Sequence, residues 1–288
     1  MILVTGATGH LGKAATEFLL QKTEPKNIAV FARNQEKAAN LKSKGIDVRL
    51  GDYDDYTSLV NAFKGIEKLY FVSGNDLEKR EQQHLNIIKA AKETSVKHVV
   101  YTSFQRKKED ASSPIAIVAQ CHINTEKWLI ASGLSYTILK HALYMDGIPM
   151  FTGSNVLEKG IFLPAGNGKV SYALRSEMAE AAANILTSDG HENKIYEFSG
   201  TESYSFGEIA DIISNISGKK VNYTNPSQEI YKQEMTKAGV PLQAIAVVSA
   251  FSEGIKQGEF DFPDNTMKRI LGRKLTEIKE FLKEAYSL

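Results

Sequence analysis

Along the first half of the chain, short apolar runs alternate with longer stretches in which apolar positions recur every three to four residues. The short runs cover residues 2–5, 28–32, 48–50, 68–72, 98–102 and 136–139. Runs this short, apolar and rich in β-branched residues predict strands buried on both faces. The periodic stretches, residues 11–21, 35–44, 56–63, 77–94 and 117–131, predict the helices between them. Strands alternating with helices in this way mark βαβ units, so the expected fold class is α/β: a doubly wound parallel sheet of about six strands.

After about Ala142 the rhythm changes. Gly147-Ile148-Pro149, Gly153, Gly160 and Gly166-Asn167-Gly168 break the chain into loops and very short strands. Helical periodicity resumes over 177–186, 206–214, 228–237, 242–256 and 275–285, the fourth with Pro241 expected at its first helical position. Residues 194–198 read as a strand that returns to the main sheet. The expected organisation is a dinucleotide-binding Rossmann region over 1–145 and a smaller α+β substrate-binding region over 146–288, with no linker between them. A chain of 288 residues has room for both.

Composition removes several classes of function. Hydrophobic residues make up 42% and charged residues 24%, inside the globular range. Thirty-five Lys and Arg oppose 34 Asp and Glu, a net charge of +1, and the densest basic run, Arg106-Lys107-Lys108, is followed at once by Glu109-Asp110. No nucleic-acid partner is expected from so small a basic footprint. No apolar stretch approaches the ~20 residues of a membrane span, and the N-terminus has no basic, apolar leader pattern. The expectation is a cytoplasmic protein without a membrane partner. A single cysteine, Cys121, makes neither an internal disulfide nor a cysteine-based metal cluster, and no metal is expected.

The chemistry begins directly after the first strand. Gly6-Ala7-Thr8-Gly9-His10-Leu11-Gly12 has the spacing G-x-x-G-x-x-G and runs into an amphipathic helix. Glycines at these places permit a tight turn and close approach to a pyrophosphate, whose charge then sits at a helix N-terminus. A dinucleotide fold that selects NAD places a carboxylate at the end of the second strand. This chain has Arg33 there, a planar fork suited to a 2′-phosphate, so NADPH is the expected cofactor. Asp52, after the third strand, lies where such a fold approaches the adenine, though it could equally cap the helix beginning near Asp55. Ser73 and Gly74 end the fourth strand and Ser103 ends the fifth, at the carboxyl edge where open α/β sheets bind ligands.

A glycine motif in this position resembles the short-chain dehydrogenases, which pair a serine after strand five with Tyr-x-x-x-Lys on the next helix. Ser103 is present. The helix reads Cys121-His122-Ile123-Asn124-Thr125-Glu126-Lys127, without that tyrosine, and the positional stand-in is His122 with Glu126, an i, i+4 pair. With Ala32-Arg33-Asn34, Gly51-Asp52-Tyr53, His122 to Glu126, Tyr136 to Tyr144, Gly166-Asn167-Gly168-Lys169, Gly190 to Lys194 and Ser217 to Val221, the chain resembles the NmrA-like atypical short-chain dehydrogenases. Within them it is most similar to the branch of NADPH-dependent quinone reductases and triphenylmethane dye reductases. That branch commonly has asparagine where His141 stands, near the expected nicotinamide.

The resemblance implies NADPH binding and hydride transfer to a quinone or a conjugated cationic dye, without a flavin. The missing tyrosine then makes sense. A reduced quinone leaves as an anion comparable to tyrosine, with a pKa of about 10, and hydride simply neutralises a carbocationic dye, so neither acceptor demands an enzymic acid. Candidates for the chemistry are His122, Lys140 and His141, and candidates to wall a flat acceptor are Phe104, Tyr144 and Phe151. A homodimer is the candidate assembly. The rival reading is a dinucleotide-binding redox sensor of the NmrA type, which binds without turnover.

Overall fold

A computed structural model describes residues 1–288. Its apolar runs become seven parallel strands in one sheet, in the order β3-β2-β1-β4-β5-β6-β8. In chain order these are β1 Ile2–Val4, β2 Ile28–Ala32, β3 Asp47–Leu50, β4 Lys68–Phe71, β5 His98–Phe104, β6 Ser135–His141 and β8 Lys194–Phe198. Residues 194–198 do return to the sheet, pairing with β6 from Thr137↔Lys194 to His141↔Phe198. Two further strands, β7 (Ile161–Phe162) and β9 (Tyr223–Thr224), form a separate parallel pair.

Both faces of the sheet are covered, which is why its central strands carry no polar alternation. On one face lie α1 (His10–Leu20), α2 (Gln35–Ser43) and the helix Arg175–Leu186, closing a core around Val4, Val30, Tyr70, Val100 and Leu139. On the other lie α3 (Tyr56–Phe63), α4 (Arg80–Glu93) and α5 (Ala116–Ala131), over Leu3, Ala29, Leu69, Val99 and Ile138. A third core, around Ile148, Leu163, Phe206, Ile213, Ile255, Phe260 and Leu282, belongs to the later part of the chain and begins at Ile115. The helix Arg175–Leu186 therefore serves the sheet, although it lies beyond Ala142 in sequence.

Several boundaries move for local reasons. Strands β5 and β6 each run two residues further than the periodicity predicts, and Ser103↔Lys140 and Phe104↔His141 are ladder pairs rather than loop residues. Helix α4 begins at Arg80, because residues 77–79 form a turn in which Asp76 accepts from the backbone N–H groups of Glu78 and Lys79, both at 3.2 Å. Pro241 is not the first helical residue; its ψ of 135° is extended, and it stands just before the helix Leu242–Lys256. The last helix starts at Ile278 behind a capping box of Glu277 and Glu280. The short helix Thr266–Leu271, which packs on the sheet-side core through Met267, was not predicted.

Candidate functional site

Strand order reverses between β1 and β4, and there the carboxyl ends of the strands open a crevice. The loop from Gly6 to Gly12 forms one wall. Ala7, Leu11 and Gly12 are buried, while the tip, Thr8-Gly9-His10, is exposed to the crevice mouth. Gly6 takes φ +61°, a left-handed conformation open to glycine, and its missing Cβ lets Val72 of the neighbouring chain segment approach. Gly12 has no room at all: a Cβ there would stand 2.4 Å from the carbonyl oxygen of Gly6. Gly9 differs, because a Cβ would meet only that same oxygen, at 3.4 Å. Its missing side chain keeps the space above helix α1 clear, and α1 starts there without a side-chain cap. A cradle that a Cβ would fill, at the uncapped start of a helix, suits a pyrophosphate.

Around this loop the structure sets Arg33 exposed at the end of β2, beside Asn34, whose side chain caps α2 by accepting from Lys37 N at 3.0 Å. Tyr53 lies flat against Phe31, ring centroids 5.8 Å apart. Burial pushes the Tyr53 phenol up to about 12, against the pull of a hydrogen bond from Thr5 and the charge of Arg33. Asp52 is not the cap of α3; Asp55 is, accepting from Ser58 N at 3.1 Å. The Asp52 carboxylate instead accepts from Asp54 N and stays half-buried beside the crevice.

Ser73 and Gly74 form the opposite wall and are held by a residue the sequence pattern missed. Gly74 N–H donates to His84 Nε2 at 3.1 Å, so the ring proton sits on Nδ1 and goes to Thr125 Oγ1 at 2.9 Å. Thr125 in turn donates to the carbonyl of Cys121. Burial lowers the His84 pKa to about 3, keeping the ring neutral in this role. His84 shares the buried face of α4 with Arg80 and Gln83 as well as Ile87, Ile88 and Ala91, so no simple periodicity marks it.

The positions equivalent to a serine, tyrosine and lysine are rewired. Ser103 donates to Glu126 instead of facing the crevice freely. Glu126 also receives both guanidinium nitrogens of Arg106, at 2.8 and 2.7 Å, and Arg106 has a fully buried side chain. His122 therefore does not pair with Glu126, as the i, i+4 spacing suggested. Its Nδ1 lies 2.7 Å from the hydroxyl of Tyr101, and burial together with the charge of Arg80 holds its pKa well below the usual histidine value. Arg106, the first residue of the densest basic run, is thus the buried partner that makes a carboxylate tolerable here. A second buried carboxylate, Glu259, anchors the same loop by accepting from Lys107 N, Lys108 N and Ser113 Oγ at 3.0, 2.9 and 3.2 Å.

The remaining candidates separate. His141 stacks on Phe198 with centroids 5.5 Å apart, neither ring nitrogen has a partner, and burial lowers its pKa to about 3. Lys140 points to the opposite face of the sheet, alongside its ladder neighbours Ser103 and Glu197. Phe104 lies 5.8 Å from the ring of His122 and meets Phe251 and Phe260. Tyr144 neighbours His141 and carries the Arg175 guanidinium 5.0 Å above its ring. Phe151 packs on Phe206, in the later core.

A glycine-cradled crevice at the switch point of a seven-stranded parallel sheet defines a Rossmann-type dinucleotide-binding protein. The chain belongs to the NmrA-like family, whose model matches residues 1–282. It is 37% identical to the Citrobacter sp. triphenylmethane reductase solved with NADP(H), covering 99% of this chain and 100% of that one with a TM-score of 0.90. It is 32% identical to the NADPH-dependent quinone oxidoreductase of Escherichia coli solved with NADPH, covering 99% and 100%, with a TM-score of 0.92. The NAD(P)H azoreductase of Xenophilus azovorans is 30% identical, covering 98% of this chain and 97% of the relative.

Proposed function

We propose that the protein is a flavin-independent reductase that binds NADPH in the β1–β4 crevice and reduces quinones or similarly flat, conjugated acceptors. The observation that carries this reading is the Gly6–Gly12 cradle, closed to a side chain at Gly12 and open above Gly9, in a chain whose likeness to two NADP(H)-bound reductases runs end to end. When bound, NADPH supplies the hydride.

The protein's own residues do the rest. The uncapped start of α1 receives the pyrophosphate, and Gly9 lets it come within contact of the backbone. Arg33 holds the 2′-phosphate as a charge-assisted fork, and Asp52 stands on the adenine side. Ser73 and Gly74, fixed by His84, border the path between adenine and the reacting end. Phe104 with Phe251 offers an aromatic wall, and the region 146–288 closes over it. With Ser103 donating to Glu126 and Glu126 held by Arg106, no side chain is poised as a general acid, and the acceptors that fit are those that need none. A cytoplasmic setting and a homodimeric assembly complete this reading.

The test is NADPH oxidation by purified protein without added flavin, screened against benzoquinones, naphthoquinones, triarylmethane dyes, azo dyes and simple aldehydes. Turnover with the first classes and none with aldehydes is expected. Tight NADPH binding with no turnover of any acceptor would instead favour a redox sensor.

A further inference from the structure

His122 is buried to 95%, yet its two ring nitrogens have different surroundings. Nδ1 is bound to the Tyr101 hydroxyl at 2.7 Å. Nε2 has no protein partner, and unlike both nitrogens of His141 it is not sealed away from the surface. The ring of Phe104 lies 5.8 Å from that of His122, tilted by 31°, and in turn meets Phe251.

The hydrogen-bond network fixes which nitrogen carries the proton. Tyr101 is fully buried, and burial raises its pKa, so the phenol keeps its proton and needs an acceptor. No other acceptor lies within hydrogen-bond distance of its hydroxyl, whose one partner is His122 Nδ1. The Tyr101 hydroxyl therefore donates to His122 Nδ1. Burial holds the His122 ring neutral, and a neutral ring that accepts at Nδ1 carries its hydrogen on Nε2. The outcome is a single, neutral N–H donor at the aromatic wall, held in one tautomer from behind.

We propose that His122 Nε2–H is a catalytic hydrogen-bond donor to a quinone carbonyl oxygen, and that it sets the preference of this site for quinones over cationic dyes. The inference rests on the reductase reading above. Hydride from NADPH delivers two electrons and one proton's worth of hydrogen to the quinone, leaving a hydroquinone monoanion that takes its second proton from water. The negative charge develops on oxygen, and a preorganised N–H directed at that oxygen stabilises the transition state more than the ground state. Hydride added to a triarylmethyl cation forms a carbon–hydrogen bond and cancels the charge, so no oxyanion arises and the donor has nothing to stabilise. His122 retains its hydrogen throughout and acts as an electrophile, not as an acid.

The test compares kcat/KM for a benzoquinone and for a triarylmethane dye in the wild type, His122→Ala and His122→Gln. NADPH affinity and thermal unfolding are recorded for each. His122→Ala should lower the quinone-to-dye ratio of kcat/KM by about ten- to a hundredfold, the range for one hydrogen bond to a charged group. His122→Gln, which keeps an acceptor for Tyr101 and an N–H donor, should recover most of that ratio. An unchanged ratio, or parallel losses with both acceptors, would show that His122 only packs the wall and would overturn the proposal. If the wild type reduces neither acceptor, the reductase reading itself falls, an outcome distinct from an unchanged ratio.

Discussion

Two glycines of the cradle should fail in opposite ways when given side chains. At Gly12 a Cβ would stand 2.4, 2.7 and 3.0 Å from Gly6 O, Gly6 C and Ala7 N, all backbone atoms that cannot rotate away. Overpacking of this kind costs about 1–3 kcal/mol, and the ~1 kcal/mol that alanine gains over glycine inside a helix offsets only part of it. Gly12→Ala should therefore lose up to about 2 kcal/mol of stability and displace the loop. At Gly9 the backbone, with φ −90° and ψ 171°, accepts any residue, and the one protein atom near a Cβ is at ordinary contact distance. Gly9→Val should cost no more than about 1 kcal/mol, as a weaker helix cap, while its branched side chain fills the pyrophosphate space. Denaturant unfolding followed by circular dichroism, beside NADPH fluorescence titration, reads both effects. Gly9→Val should stay folded and show no measurable binding. Retained NADPH affinity in that variant, or a destabilisation equal to that of Gly12→Ala, would refute the assignment of Gly9 to the cofactor face.

Three other outcomes follow from the same geometry. Arg33→Ala should weaken NADPH binding about ten- to a hundredfold and leave NADH nearly unaffected, since it removes a charge-assisted contact worth about 1.5–3 kcal/mol; equal losses for both cofactors would place Arg33 away from the 2′-phosphate. Arg106→Ala should cost about 3–5 kcal/mol by stranding the Glu126 carboxylate, and replacing Glu126 with Gln as well should recover part of it, both read by denaturant unfolding. His84 and His141 have folded pKa values depressed to about 3, so the unfolded chain binds more protons as pH falls below about 6.5. Stability should thus be lost from pH 6.5 downward with a slope of up to ~1.4 kcal/mol per pH unit per buried histidine, and His141→Leu should remove one such increment.

Much of this molecule is legible in its sequence because the signals are local. A strand buried on both faces has to be an unbroken apolar run, and residues 28–32 match their strand to the residue on that ground. The glycine spacing likewise declares a turn that nothing else could make. What stayed hidden depends on partners far apart in the chain. Arg106 is only the start of a short basic run until the fold pairs it with Glu126, twenty residues later. His84 supports Gly74 only once α4 lies under β4, and Glu259 reaches back about 150 residues to hold Lys107 and Lys108. Strands β7 and β9, two residues each, are too short to leave a pattern.

The most direct test of a flavin-free hydride transfer is to follow the atom itself. NADPH carrying deuterium at both C4 positions would be oxidised by the flavin-free protein with a triarylmethane dye in ordinary water, and the leuco product weighed by mass spectrometry. A deuteron bound to carbon does not exchange with water, so direct transfer should label the central carbon of nearly every product molecule with one deuterium. A product carrying ordinary hydrogen, or a reaction that proceeds only after flavin is added, would contradict it.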